Sequence, residues 1–521
     1  MTVRPRFLAI ADKALALQVI LIVCGTALAF SGSVWWMKPA LGIATVSLMI
    51  TWLARTYFLG RWIVLKSPIT LLGLLALGLA VGQLLPLPGR LASLVSPRSR
   101  AVHTLGTLPE LARADNPAWE MREIVADRTP ATIDRAATLR WLLGAIAGLA
   151  VFCVCSHYAD RLGHAAIIWG SVVCAFFIGT TFGVAQLMGG ASGLYGAVEP
   201  GSGRPGMPTL DDQATSPGAT VLRPVGNPNE PRAAWSLPRA DRPFLFGTLM
   251  GGPGAYLALG ALGLPLALGI ALQLLAPRGS RDGLRARLRD SGRTGLLVLL
   301  LGMTATSSIL VGYLAGPILA APFAIGMILV GIPAAWCSGL RWLAVMLTGA
   351  MLVALMIGVA AGERLGRPRG VDALASGAAG WAEIRSIWRD SARAARDFPL
   401  VGSGLGSYPT IAAYYKTRDE TWTTAGNSLL QWCVESGLSG MILAGLAGLW
   451  CIVRIPGAVR RVGSADRTLA FMMVGTLVCF GAFSAVHWSV ELTAVAIAAC
   501  AVGGTCNRWL AGGTDLFVEC A

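Results

Sequence analysis

Residues 342–362 read WLAVMLTGAMLVALMIGVAAG, without one charged side chain. In hydrocarbon each unpaired backbone group costs several kcal/mol, so such a run must satisfy its own hydrogen bonds, and a helix does this within one segment. About 20 residues, rising about 1.5 Å each, cross the core of a bilayer. Working outward, the same reading holds elsewhere: Leu71–Leu85 interrupts its apolar residues only with Gly73, Gly78, Gly82 and Gln83. Apolar runs at 14–36, 39–54, 67–86, 139–157, 164–188, 245–276, 294–314, 317–336, 342–362, 437–453, 468–487 and 489–506 predict an all-α, polytopic membrane protein. The expectation is about 12 transmembrane helices, with residues 1–521 as a single integral membrane domain. The runs 39–54 and 437–453 need flanking residues to reach full length. Gly251-Gly252-Pro253-Gly254 is placed to break the long run 245–276 near its start.

Composition agrees. Of 521 residues 55% are hydrophobic and 13% charged, whereas soluble domains carry about 25% charged residues. The net charge of +15 is not a nucleic-acid signature, because the arginines sit in short loops between apolar runs. No nucleic-acid partner is expected. Cys24, Cys153, Cys155, Cys174, Cys337, Cys479 and Cys500 lie within apolar segments, and no CxxC occurs among the eleven cysteines. They read as small hydrophobes, and no metal site is expected. The N-terminal run reads as an uncleaved first helix, although Ala27-Leu28-Ala29 resembles a signal-peptidase site.

Lys and Arg in short loops set the direction. Arg278, Arg281, Arg285, Arg287, Arg289 and Arg293 follow the sixth run, Arg454, Arg460, Arg461 and Arg467 the tenth, and Arg55, Arg61 and Lys66 the second. Even numbers of spans separate these loops, so they share one side with Arg4 and Arg6 at the N-terminus. That side is cytoplasmic by the rule, and both termini face it. The long segments 87–138, 189–244 and 363–436 then lie outside. The second of these is rich in Gly and Pro and is expected to be irregular.

The external segment 363–436 concentrates the features with chemical potential. Residues 381–396 read WAEIRSIWRDSARAAR. Trp381, Ile384, Trp388, Ala392 and Ala395 predict one apolar helix face, and Arg385, Arg389, Arg393 and Arg396 a cationic one. Such a helix suits the lipid interface, with Trp anchors and headgroup-facing arginines. A second reading is a phosphate-binding face, since guanidinium forks grip phosphate bidentately. Gly402, Gly404 and Gly406 follow in a turn, and this is not a dinucleotide fingerprint because no strand precedes it.

The stretches IWRDSARAARDFPLVGSGLGSYP and AGNSLLQWCVESGLSGMI resemble the O-antigen ligase and O-antigen polymerase family of bacterial membrane glycosyltransferases. Arg385, Pro399, Gly402, Gly404, Gly406, Asn427, Leu430, Glu435, Gly437 and Gly440 fit the family pattern. Weaker echoes lie at 82–97 and 486–492, and the likeness is specific over about 385–440. The resemblance implies a protein of the bacterial inner membrane. Its substrate would be a polyprenyl-pyrophosphate-linked glycan, and its acceptor another glycan or lipid A-core at the external face. Arg385, Arg389 and Arg393 would bind the pyrophosphate, with Asn427 as a polar group on the acceptor side. Membrane lipids are the other expected partners, and no cofactor is implied. A general base is also implied, but where the family has His before Asn this chain has Gly426. His487, Glu491 and Glu435 are the candidates to replace it. Thr306-Ser307-Ser308-Ile309 lacks an arginine that the family often carries there. Two other readings accompany this one: a non-catalytic paralogue that assists cell-surface polysaccharide assembly, and a twelve-helix transporter.

Overall fold

The computed structural model describes residues 3–28, 37–59, 61–65, 67–105, 128–189, 253–275, 291–337, 341–365, 378–417, 424–461, 467–487, 493–511 and 515–519. Fifteen helices dominate these residues: α1 Val3–Leu28, α2 Met37–Leu59, α3 Pro68–Leu84, α4 Gly89–Val95, α5 Pro97–Leu105, α6 Arg135–Tyr158, α7 Leu162–Gly189, α8 Pro253–Leu275, α9 Ser291–Cys337, α10 Arg341–Leu365, α11 Ala378–Asp397, α12 Tyr408–Tyr415, α13 Ser428–Arg461, α14 Arg467–Ser484 and α15 Thr493–Ala511. Among them, ten are long and apolar enough to cross a membrane, so the chain is a multi-pass, all-α membrane protein. The glycine-rich segment 189–244, past Gly189, lies outside the described residues, as do Glu491 and the arginines from 278 to 289.

Two of the long helices are broken by glycine. α9 turns at Gly316 (φ 67°, ψ 178°), just before Pro317, which separates the runs expected at 294–314 and 317–336. α13 turns at Gly437 (φ 60°, ψ −157°). The short run expected at 437–453 therefore gains its length on the C-terminal side, up to Arg461. Pro253 begins α8. This suits proline, whose missing N–H costs nothing in a first turn.

Helix α8 is the hub. In its apolar window 94% of residues are buried, against 6% for α13, so α8 runs through the protein core and α13 along its edge. Phe176 of α7 rests on Gly260 and Gly263 of α8, where a Cβ would come within 3.0 Å and 2.8 Å of its ring atoms. α9 and α10 approach backbone to backbone: a Cβ at Gly312 would lie 2.1 Å from the Leu355 oxygen, and one at Gly358 1.9 Å from that of Ile309. Small residues permit such contact where no hydrophobic effect draws helices together.

Contacts between distant segments sort the helix ends into two groups. At one end, Arg55 Nε donates to Asp12 Oδ1 (2.6 Å) and its Nη2 lies 3.8 Å from Asp160. Arg461 Nη2 donates to the Leu510 carbonyl (3.1 Å). Strand β1 (Arg61–Leu65) pairs antiparallel with the C-terminal strand, Asp515–Glu519, a pairing that apolar periodicity did not signal. At the other end, a second antiparallel pair joins β2 (Pro86–Pro88) to β3 (Arg128–Pro130), beside the 398–439 region.

Candidate functional site

The glycine turn at 402–406 is the centre of a tightly bonded junction. Gly402, Gly404 and Gly406 have φ of 77°, 112° and 79°, a region that L side chains rarely adopt. Space is equally restrictive. A Cβ at Gly402 would lie 2.2 Å from the Glu435 carbonyl carbon and oxygen, and one at Gly404 2.0 Å from Thr132 Oγ1. The turn and the kink of α13 bond reciprocally. Ser403 N donates to Val434 O (2.9 Å) and Gly404 N to Glu435 O (3.1 Å), while Leu438 N donates to Pro399 O (2.8 Å) and Ser439 N to Leu400 O (3.0 Å). The donors freed by the break at Gly437 are satisfied in this way.

Gln83, at the end of α3, locks the same junction from a third direction. It is 1% exposed. Its Nε2 donates to Val401 O (2.5 Å) and Glu435 O (2.9 Å), and its Oε1 accepts from Leu405 N (3.0 Å). Thr132 N donates to Gln83 O (3.0 Å), and Ile133 N to Ser403 O (2.9 Å). Sequence reading noted Gln83 only as a polar interruption of an apolar run, and gave Thr132 no part. For Gln83 a signal was available, since an amide inside a span needs internal partners; for Thr132 there was none.

Glu435 is engaged with backbone amides. Its side chain is buried, and its carboxylate accepts from Gly406 N (2.9 Å), Tyr408 N (3.0 Å) and Gln431 Nε2 (3.3 Å). It thus caps the start of α12, where a negative charge meets the helix dipole. It does not open its own span, because the break falls after it at Gly437. Asn427 caps the other helix: its Oδ1 accepts from Leu430 N (3.0 Å) at the start of α13.

The arginine helix, α11, sits against this junction. Ile384, Ile387, Ser391 and Ala394 form its buried face. That face is turned from the expected one, since Trp388, Ala392 and Ala395 lie at its half-buried margin and the side chain of Trp381 lies outside the described residues. Ser391 is tolerated inside because its hydroxyl bonds Tyr408 OH (2.6 Å) and Ile387 O (2.8 Å). Arg385, Arg389, Arg393 and Arg396 are all exposed. Arg393 pairs with Asp390 on its own helix. Asp390 also accepts from Thr417 N (3.1 Å).

Trp388 ties this helix to Gly426, where a Cβ would find the Trp388 Nε1 at 3.9 Å and nothing closer. Gly426 has a φ of 65°. His487 reaches the same place from the end of α14: its carbonyl accepts from Ser428 Oγ (3.0 Å). Its ring is buried and stacks on Phe483 at 4.8 Å between centroids. The Arg385–Arg389 segment, Gly426, Asn427 and His487 therefore belong to one neighbourhood, adjoining the glycine turn. Ser307, where an arginine was lacking, joins Thr180 Oγ1 (2.8 Å), which also bonds Tyr256 OH (2.9 Å). These three hydroxyls satisfy one another without a charge.

One further tie is sensitive to pH. His103 of α5 bonds the Thr132 carbonyl through Nε2 (2.8 Å). Burial holds its imidazole below the ordinary value; the Thr132 bond pulls upward and the positive charge of Arg135 downward. A histidine depressed by folding binds protons more readily once unfolded, so its contribution is complete above about pH 6.5 and is lost as pH falls from there through the folded value. Thermal unfolding in detergent at pH 7.5 and 5 should show a smaller loss on acidification for His103→Gln than for the unaltered protein. Equal losses would contradict the assignment.

No family model and no curated protein sequence matches the chain.

Proposed function

We propose that this is an O-antigen ligase-like protein of the bacterial inner membrane, which transfers a glycan from a polyprenyl-pyrophosphate carrier to an acceptor at the external face. In this reading the chain crosses twelve times. The crossings are the ten long apolar helices, with 292–336 counted twice because of Gly316, and the shorter α3. Both termini are cytoplasmic. The pairing of β1 with the C-terminal strand and the Arg461–Leu510 bond support a shared side for these segments.

The observation that carries the reading is the exposed row of Arg385 and Arg389 beside Gly426, Asn427 and His487, at one end of the helices. A pyrophosphate leaving group needs its charge stabilised as the glycosidic C–O bond breaks, and exposed guanidinium groups at a membrane surface supply this. An acceptor hydroxyl oxygen attacks the anomeric carbon, its proton goes to a base, and polyprenyl pyrophosphate departs. Of the two candidates among the described residues, His487 takes the base role, because the carboxylate of Glu435 is committed to backbone N–H groups. Gly426 motivates a second reading, a non-catalytic protein that holds the lipid-linked glycan for a partner.

The test is a transfer assay with the purified full chain in lipid nanodiscs, a polyprenyl-pyrophosphate glycan and candidate acceptors. Transfer with release of polyprenyl pyrophosphate is the expected result. Binding without transfer would favour the second reading, and neither binding nor transfer would overturn both.

A further inference from the structure

The segment that follows α3 has a surface that none of these roles uses. Along α3, the exposed side chains Leu71, Leu74, Val81 and Leu85 form a row on one face. Leu85 is 54% exposed, and exposed leucines recur in α4, where Leu91 is 50% and Leu94 72% exposed. α3 has 17 residues, a rise of about 25 Å, which is less than the hydrocarbon thickness of about 30 Å. With Pro68 at one edge of the hydrocarbon, Leu84 lies about 5 Å short of the other, and α4 begins five residues beyond Leu84.

The connection is built for that depth. β2 reads Pro-Leu-Pro, so two of its three residues have no N–H to satisfy, and the strand is paired with β3. α4 is one-sided: Ala92 is buried, while Arg90, Leu91, Ser93 and Leu94 are exposed. Arg90 and Leu94, four positions apart, are neighbours on one face. An arginine beside exposed leucines at a helix surface matches the boundary where acyl chains meet phosphates, with the guanidinium snorkelling outward. On the other flank, Arg100 Nη1 donates to Gly89 O (3.2 Å) and Ser96 Oγ to Ser99 Oγ (2.7 Å), fastening α4 to α5.

We propose that α4 lies in the headgroup–acyl boundary of the bilayer, with Leu91 and Leu94 in the acyl region and Arg90 among phospholipid phosphates. The occupant of this face is membrane phospholipid, because exposed apolar side chains run along α3 to Leu85, four residues before α4, and Arg90 supplies the cation that lipid phosphates attract. One consequence is positional. Gln83, two residues before Leu85, holds the glycine turn by three hydrogen bonds, so α4 sets the depth of that junction at the lipid phosphates. This inference does not depend on the proposed transferase activity.

Photocrosslinking tests it. p-Benzoylphenylalanine is placed at Leu94 in the full chain, reconstituted in vesicles of phosphatidylethanolamine and phosphatidylglycerol, and irradiated. Ile442 on the exposed face of α13 serves as the acyl control and exposed Thr417 as the aqueous one. Phospholipid adducts at position 94 should approach the yield at 442 and exceed that at 417 by about tenfold, as expected for a side chain below the headgroups. A yield no greater than at 417 would place α4 in water and overturn the proposal. A crosslink to a second copy, or to another segment of the same chain, would also overturn it by showing a protein contact on this face.

Discussion

Gly402→Ala is expected to destabilise the protein by about 4 kcal/mol or more, by combining left-handed strain with a backbone collision. The strain alone, at a φ of 77°, costs about 1–2 kcal/mol for a residue with a Cβ. The collision adds more because it cannot be relieved by a side-chain rotation. The obstructing atoms are the carbonyl of Glu435 at 2.2 Å and the amide nitrogen of Ser436 at 2.4 Å. Moving them away breaks the bonds from Gln83 Nε2 and Gly404 N to the Glu435 carbonyl, and a buried acceptor left unpaired costs about 1–3 kcal/mol. Gly426→Ala is the control. It has a similar φ of 65°, but its nearest neighbour is a side-chain atom at 3.9 Å, so only the strain of about 1 kcal/mol remains. Heating both variants in detergent and measuring the monodisperse fraction by fluorescence-detected size exclusion separates the two terms. Equal losses would mean that close backbone contact does not hold the junction.

The same junction shows where sequence reading reached and where it stopped. Membrane crossings were legible because hydrocarbon imposes a local rule: each apolar run must satisfy its own backbone, and runs such as 342–362 carry that information within themselves. The glycine turn was legible as a turn for the same local reason. Its partners were not, since Gln83 bonds groups more than 300 residues away and periodicity says nothing of such pairings. Glu435 shows the limit from the other side. A carboxylate favours a helix N-terminus, but the terminus it serves is that of α12, 27 residues earlier in the chain. On α11 the two tryptophans drew the expected apolar face toward themselves. The buried face instead contains Ser391, a polar residue whose place depends on a hydroxyl partner, Tyr408, from another helix.

Arg385→Ala is expected to weaken binding of a polyprenyl-pyrophosphate glycan by about 10- to 100-fold. A hydrogen bond to a charged group is worth about 1.5–3 kcal/mol, and about 1.4 kcal/mol is a factor of ten in Kd. Arg389→Ala should act similarly, since the two guanidinium groups stand four residues apart on one exposed face of α11. Arg393→Ala should cost less than Arg389→Ala, because Asp390 already holds the Arg393 guanidinium and offsets its charge. This ordering separates a phosphate site from a general attraction to anionic lipid. If α11 only rests on headgroups, all three exposed cations contribute a nonspecific, salt-screened term, and their removal lowers binding to anionic vesicles without affecting the glycan carrier in particular. Arg385→Lys sharpens the test further. It keeps the charge and removes the planar fork, so a bidentate phosphate contact loses about tenfold while a nonspecific contact is preserved. Binding is measured in nanodiscs at low salt, with melting temperature as the check that each variant is folded. Unchanged affinity for the lipid-linked glycan in a folded Arg385→Ala variant would remove the arginine row from the site.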